Sequence, residues 1–372
     1  MQLYEYAQEY FSFLDHGEAR LKGIKRAIDV ALEQQDIANA LSLYYQLMRE
    51  STRHYDAYQI IVIFPEYLAL FEKYPEYHAI HKHDIMWAYK WMIEHMAEYY
   101  QISLSQIASI FTQYEDFCTR FNYSKRSYYQ KLEEFIAESG IENNFGFTDR
   151  KDYHKKMLKC SRDGLSDCPA CELDREISYI LFVENDYEKA LKKAEVIFTG
   201  RYSCSEIPHI TYVSFAKWCF ENGDIQSAND YAEKGYRVIN RDYGDVKALN
   251  DCKGACILVF AYSNVEKALK VFKKTFTVCY DSRNSLELFA FYRASYHLML
   301  QLERIGKKHI RFKFPDKLDP IYKETSTYSV TDLKDYFYEK AKFLADKFDE
   351  RNKNSKFNDE LNKIYEFECQ ED

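Results

Sequence analysis

Cys168 and Cys171 form a C-x2-C pair around a proline, and Cys204 and His209 follow at some distance along the chain. Thiolate sulfur and imidazole nitrogen are soft ligands that suit tetrahedral Zn2+, at about 2.3 Å for sulfur and about 2.0 Å for nitrogen. Four protein ligands close the coordination sphere and leave no position for a substrate. The chemistry expected of Cys168, Cys171, Cys204 and His209 is therefore structural. Cys160 competes with His209 for the fourth place.

Other candidates are weaker. His78, His81 and His83, with Glu76 and Asp84 nearby, do not fall on one helical face. Cys252 and Cys256 are four residues apart on one predicted helix, a spacing at which thiols usually just pack. Two basic stretches, 150–156 (continued by Lys159 and Arg162) and 307–313, could face phosphate, the second by interleaving aromatics with cations. A solvated helix face and a surface loop are the plainer readings. The chain contains no P-loop, dinucleotide-binding glycine pattern, G-x-S-x-G elbow or H-E-x-x-H. No carboxylate pair is singled out for acid–base work, so an enzyme is not expected.

The four ligands converge only if the chain between them doubles back. Residues 173–184 and 187–198 read as two helices of one antiparallel hairpin, each arm ~18–20 Å long at about 1.5 Å per residue. Such a hairpin returns Cys204 and His209 to the end that holds Cys168 and Cys171.

The hairpin is one of several built to a common plan. Asp36-Ile-Ala-Asn-Ala40, Asp186-Tyr-Glu-Lys-Ala190, Asp224-Ile-Gln-Ser-Ala228 and Asn264-Val-Glu-Lys-Ala268 each set an Asp or Asn four residues before an alanine. The polar side chain accepts from the free amides that open a helix, and the alanine lets a neighbouring helix cross closely. The last three alanines are 38 and 40 residues apart, near the period of about 34 of tetratricopeptide repeats. A single unit cannot bury its apolar face, so copies must stack. Ser103 and Gln106 form a capping box, Ser124 is a second N-cap, Gly140 suits a helix end, and 331–351 reads as one long helix.

Composition agrees with helices. Only 11 glycines and 6 prolines occur in 372 residues, where average usage would supply about 12% of the two together. A sheet protein of this length needs many more turn residues. The net charge of −8, from 59 acidic and 51 basic residues spread along the chain, argues against nucleic acid and anionic membrane as partners. The opening residues lack the basic and apolar regions of a signal peptide, and the purest apolar run, 60–64, is far short of the ~20 residues that span a bilayer. A cytoplasmic location is expected, with its ten cysteines reduced.

Trp87-Ala-Tyr-Lys-Trp91, Leu165-Ser-Asp-Cys168-Pro-Ala-Cys171, Cys204-Ser-Glu-Ile-Pro-His209 and Phe348-Asp-Glu-Arg-Asn352 occur in that order. Over roughly residues 20–355 the chain resembles a group of bacterial tetratricopeptide-like proteins with an LSDC-x-x-C … C-x-E-x-P-H signature. The resemblance implies the fold and the cysteine site, favours His209 over Cys160, and carries no function with it.

The expected architecture is a right-handed α-solenoid of helical hairpins in one continuous array. It comprises a less regular region at 1–145, a connecting helix and cysteine loop at 146–172, regular repeats at 173–305, a loop at 306–328 and terminal helices at 329–372. The expected function is non-catalytic: a scaffold or adaptor that holds a protein or peptide in its groove. A peptide-responsive sensor acting through a protein partner and a toxin-neutralising immunity protein are the alternatives. Some of the 34 tyrosines, apolar rings with a polar tip, would anchor a partner in that groove.

Overall fold

The computed structural model describes residues 11, 13–14, 17–54, 57–242 and 250–367. The opening stretch 1–6 and the last residues of the 329–372 segment lie outside them. The described residues form sixteen α-helices and one two-stranded ribbon. Where the sequence reading expects one continuous array, the chain gathers into two compact units, Met1–Ser166 and Asp167–Asp372. The division falls inside the 146–172 connection.

The first unit holds α1 (Glu18–Glu33), α2 (Ile37–His54), α3 (Tyr58–Lys73), α4 (His78–Met96), α5 (Leu104–Arg120), α6 (Arg126–Ser139) and α7 (Arg150–Lys159). Asp36 opens α2 by accepting from the Asn39 amide at 3.3 Å, and Ala40 is fully buried. The Ser103–Gln106 capping box forms as expected, and α6 closes on Gly140 at φ 70, a left-handed conformation that glycine adopts without a Cβ clash. The Ser124 hydroxyl accepts from the Arg126 amide at 3.2 Å, the first of α6, although Lys125 holds the N-cap position and makes no cap bond of its own. The Ser124 amide itself donates to the Asp163 carboxylate at 2.6 Å, so a distant loop also fixes the chain's entry into α6.

The second unit begins with α8 (Pro169–Tyr179), which runs on through a wider π turn over Ile180–Glu184. Next come α9 (Tyr187–Phe198), α10 (His209–Glu221), α11 (Ile225–Asp242), α12 (Asn250–Ser263), α13 (Val265–Tyr280) and α14 (Ser285–Arg304). After the ribbon come α15 (Val330–Asn352) and α16 (Lys356–Asn362). Asp186, Asp224 and Asn264 each accept from the amide three residues on, at 3.0, 2.9 and 3.0 Å, and so open α9, α11 and α13. Ala190, Ala228 and Ala268 are all 0% exposed.

Packing between these hairpins is periodic. Ser263 Oγ donates to Asn229 Oδ1 at 2.8 Å, Lys267 Nζ meets Glu233 Oε1 at 2.5 Å, and Lys274 Nζ meets Asn240 Oδ1 at 2.5 Å; each pair is 34 residues apart. Ser263 ends α12; the other two pairs join α13 to α11, and their equal separation means that these two helices run parallel. Their caps, Asp224 and Asn264, are 40 residues apart, so the two helices are offset by about six residues, ~9 Å along the axis. The first helices of the hairpins also meet: a Cβ on Gly254 of α12 would stand 3.3 Å from the Ala290 carbonyl of α14, an approach that only glycine allows so closely.

The 306–328 segment, expected as a loop, contains β1 (His309–Arg311) and β2 (Thr327–Ser329), antiparallel with Ile310 opposite Tyr328. Ile310, Phe312 and Phe314 are buried, while Arg311 and Lys313 between them are exposed. Phe312 and Phe314 pack against Phe276 at 5.0 Å between centroids. The aromatic half of the basic 307–313 stretch is thus spent in the core, not left for base stacking. Among the described residues no helix is long and apolar enough to cross a membrane.

The crossings at the three alanines are testable. Replacing Ala190, Ala228 or Ala268 with Phe inserts a ring where no space exists, and each variant is expected to lose about 1–3 kcal/mol in denaturant unfolding. Parent-like stability in all three would mean that the alanines do not set the crossings.

Candidate metal centre

Cys168 is the N-cap of α8, with Pro169 at the first helical position, where its missing amide hydrogen costs nothing. The Cys168 sulfur accepts from the Cys171 amide at 3.4 Å. Cys204 repeats the device in the turn before α10: its amide donates to the Ile207 carbonyl at 3.3 Å and its sulfur accepts from the Glu206 amide at 3.4 Å. The backbone of each turn therefore points an N–H at a sulfur, and at Cys204 that donor favours the thiolate. The N-terminus of α8 adds its positive dipole end to Cys168 and Cys171.

The hairpin brings the two turns together. Cys171 Sγ lies 3.3 Å from Cys168 Sγ and 3.4 Å from Cys204 Sγ, and the three sulfurs are all within 4.8 Å of one another. These separations are far from the disulfide bond of about 2.05 Å. They are near the edge of about 3.8 Å that three sulfurs make around a tetrahedral ion at about 2.3 Å. Beneath the turns, Thr211 of α10 donates to the buried Asp174 of α8 at 2.6 Å, holding the two ligand-bearing segments in place.

Charge in this triangle is strained without a cation. Burial pushes the Cys171 thiol far up, with the Cys168 sulfur, the Glu206 carboxylate and Cys204 adding to it. Burial likewise raises Cys204, against the backbone donor from Glu206. The amide at Cys204 thus favours thiolate while burial and mutual repulsion oppose it, and the second effect wins for the protein alone. A bound dication reverses that balance and deprotonates its thiols outright. By donor type, spacing and backbone support, the three cysteines fit a soft divalent metal.

The fourth expected ligand is not brought to the triangle. His209 begins α10 and is 1% exposed. Its ring is pulled down to about 4 by burial, partly offset by the Asp242 and Asp251 carboxylates. Glu206 is the nearer group, with Oε2 3.9 Å from Cys171 Sγ. The sequence reading passed over it, although it stands inside the C-x-E-x-P-H pattern. Cys160 belongs to the first unit, where its carbonyl accepts from Arg126.

The other candidates go separate ways. His78 stacks on Phe71 at 4.2 Å, His81 is buried beside Asp84, and His83 contacts Trp87 and Tyr123. Cys252 and Cys256 are buried free thiols. Among the described residues, Cys168, Cys171 and Cys204 are the one group of His, Cys, Asp or Glu with metal-ligand spacing. Compared with protein-family models, curated proteins and solved structures, the chain matches none of them.

Proposed function

We propose that this protein is a non-catalytic scaffold of tetratricopeptide-like type, which binds a protein or peptide on the face formed by the first helices of its hairpins. The observation that carries this reading is the 34-residue separation shared by the two contacts between α11 and α13 and by the one from the end of α12 to α11. Parallel stacking puts equivalent helices side by side, so α10, α12 and α14 make one face and α11 and α13 another. Repeating such steps generates an α-solenoid, and a groove follows from the curvature that each step adds.

The first hairpin of the second unit is clipped by Zn2+ held by Cys168, Cys171 and Cys204. Glu206 is the favoured fourth ligand, its carboxylate 3.9 Å from Cys171 Sγ; His209, which the resemblance puts there, is the alternative. The clip fixes α8 against the start of α10 and so sets the angle at which the following hairpins begin.

Panning the purified full chain against a random peptide library is expected to yield specific binders. Tyr262→Ala and Arg293→Ala on the first-helix face should each weaken them by about 30-fold, the size of a hot-spot loss near 2 kcal/mol. Tyr236→Ala, on α11, should leave binding unchanged. Losses confined to Tyr236, or equal on both faces, would overturn the assignment of the face.

A further inference from the structure

After α16 the chain continues through residues 363–367 without regular secondary structure, yet this stretch lies on α10, α12 and α14. Tyr365 is 6% exposed. Its ring sits 4.6 Å from Phe220, 5.6 Å from Tyr262 and 5.5 Å from His297, centroid to centroid. Its hydroxyl accepts from Arg293 Nη2 at 2.6 Å. Phe367 enters the same place, 5.0 Å from Phe220 and 5.4 Å from Tyr262, with its ring parallel to that of Tyr365 within 2°. Ile364 and Glu366 are exposed. This alternation is that of an extended strand, in which side chains i and i+2 share a face.

The receiving residues come from three successive hairpins: Phe220 from α10, Tyr262 from α12, and Arg293 and His297 from α14. Below the aromatic rings the site is polar. Tyr262 shares a 2.9 Å hydrogen bond with His297 Nδ1, while the buried His297 Nε2 has no partner among the described residues. Two rings and one arginine anchor the segment; no turn or loop hydrogen bond between backbone groups involves residues 363–367 among those described. A short stretch held only by side chains opens at low cost relative to the helices beneath it.

We propose that residues 364–367 are a built-in ligand of the second unit. The partner is an extended peptide with aromatic side chains at i and i+2, the first carrying a hydroxyl for Arg293, and it binds by displacing this tail. Tyr-Glu-Phe is the pattern the site already accepts, and an acidic residue between the rings faces solvent, as Glu366 does. The inference rests on reading this unit as peptide-binding. It adds that the site is occupied in the resting protein and that access to it is regulated by competition within the chain.

The probe is a fluorescein-labelled peptide, Lys-Ile-Tyr-Glu-Phe-Glu, read by anisotropy against the full chain and against the same chain carrying Tyr365→Ala and Phe367→Ala. The double variant should bind at least 10-fold more tightly than the parent. Replacing the peptide's Tyr with Phe should weaken binding to it, and Arg293→Gln should abolish that difference. Equal affinity for parent and double variant, or no binding to a folded double variant, would overturn the proposal. If panned library peptides still bind in that case, the peptide-binding reading survives and only the tail's role falls. Should the double variant fail to fold, amide exchange of the parent decides: excess peptide must accelerate exchange across 363–367, and unchanged exchange refutes displacement.

Discussion

Protein purified under reducing conditions is expected to carry one zinc ion per chain by elemental analysis, and Cys171→Ser is expected to carry none. Cys171 is the central sulfur, 3.3 Å from Cys168 and 3.4 Å from Cys204, so its loss leaves two thiolates and the fourth ligand, a set with too little sulfur to retain the ion through purification. The thermodynamic effect follows from linkage: free metal at a thousand times its dissociation constant stabilises the folded state by about 4 kcal/mol. Chelation should therefore lower the melting temperature and accelerate amide exchange first in α8 and the 200–208 turn. The α14–α15 pair should be spared, because each hairpin leans chiefly on its neighbours. Acid should release the ion, since protons compete for the thiolates. Glu206→Gln and His209→Ala separate the two candidates for the fourth position. Zinc lost only from Glu206→Gln assigns the carboxylate, and zinc lost only from His209→Ala restores the histidine. A metal-free parent of unchanged stability would remove the clip.

The second large effect is expected in the first unit, at Lys131. Its ammonium is 3% exposed and lies 2.7 Å from Glu134 and 3.3 Å from Glu94, and Glu134 also accepts from Gln130 at 2.9 Å. One turn of α6 thus buries an ion pair, with Arg150 and the buried Glu133 forming another at 2.5 Å. Lys131→Met keeps the apolar stem and removes the charge, leaving Glu134 buried without its cation. Breaking a buried pair from one side costs about 3–5 kcal/mol, and urea unfolding should show a loss of that size. Removing both charges is far milder, so Lys131→Met with Glu134→Leu should recover most of the stability. A near-neutral Lys131→Met would mean that solvent reaches Glu134 and that the pair contributes little.

These two sites differ in how legible they were. The cysteines could be read because everything that brings them together is local. The Asp186 cap, the length of two helices and the reversal between them return Cys204 to Cys168 whatever the rest of the chain does. The same holds for Asp36, Asp224 and Asn264 with their alanines, and for the Ser103–Gln106 box. Each depends on hydrogen bonds three or four residues long, so residue type and spacing suffice. The scarcity of glycine and proline settled the helical class for the same reason.

What the sequence could not determine depends on distant partners. Gln130, Lys131, Glu133 and Glu134 look like a solvated helix face, and it takes partners brought in by tertiary packing, Glu94 and Arg150 among them, to make their burial tolerable. Asp163 reaches the Ser124 amide at the start of α6 from 39 residues away. His209 has the chemistry of a ligand at a suitable spacing, but the group with metal-ligand spacing comprises the three cysteines without it. The basic 307–313 stretch alternates in a way that suits a strand, yet Phe276 decides which of its faces is core. Tyr365 and Phe367 resemble an unremarkable tail until three helices from different hairpins are placed under them. Local order is written in short-range hydrogen bonds and periodicity. Which surfaces meet is decided by shape and charge between segments that sequence spacing alone does not connect.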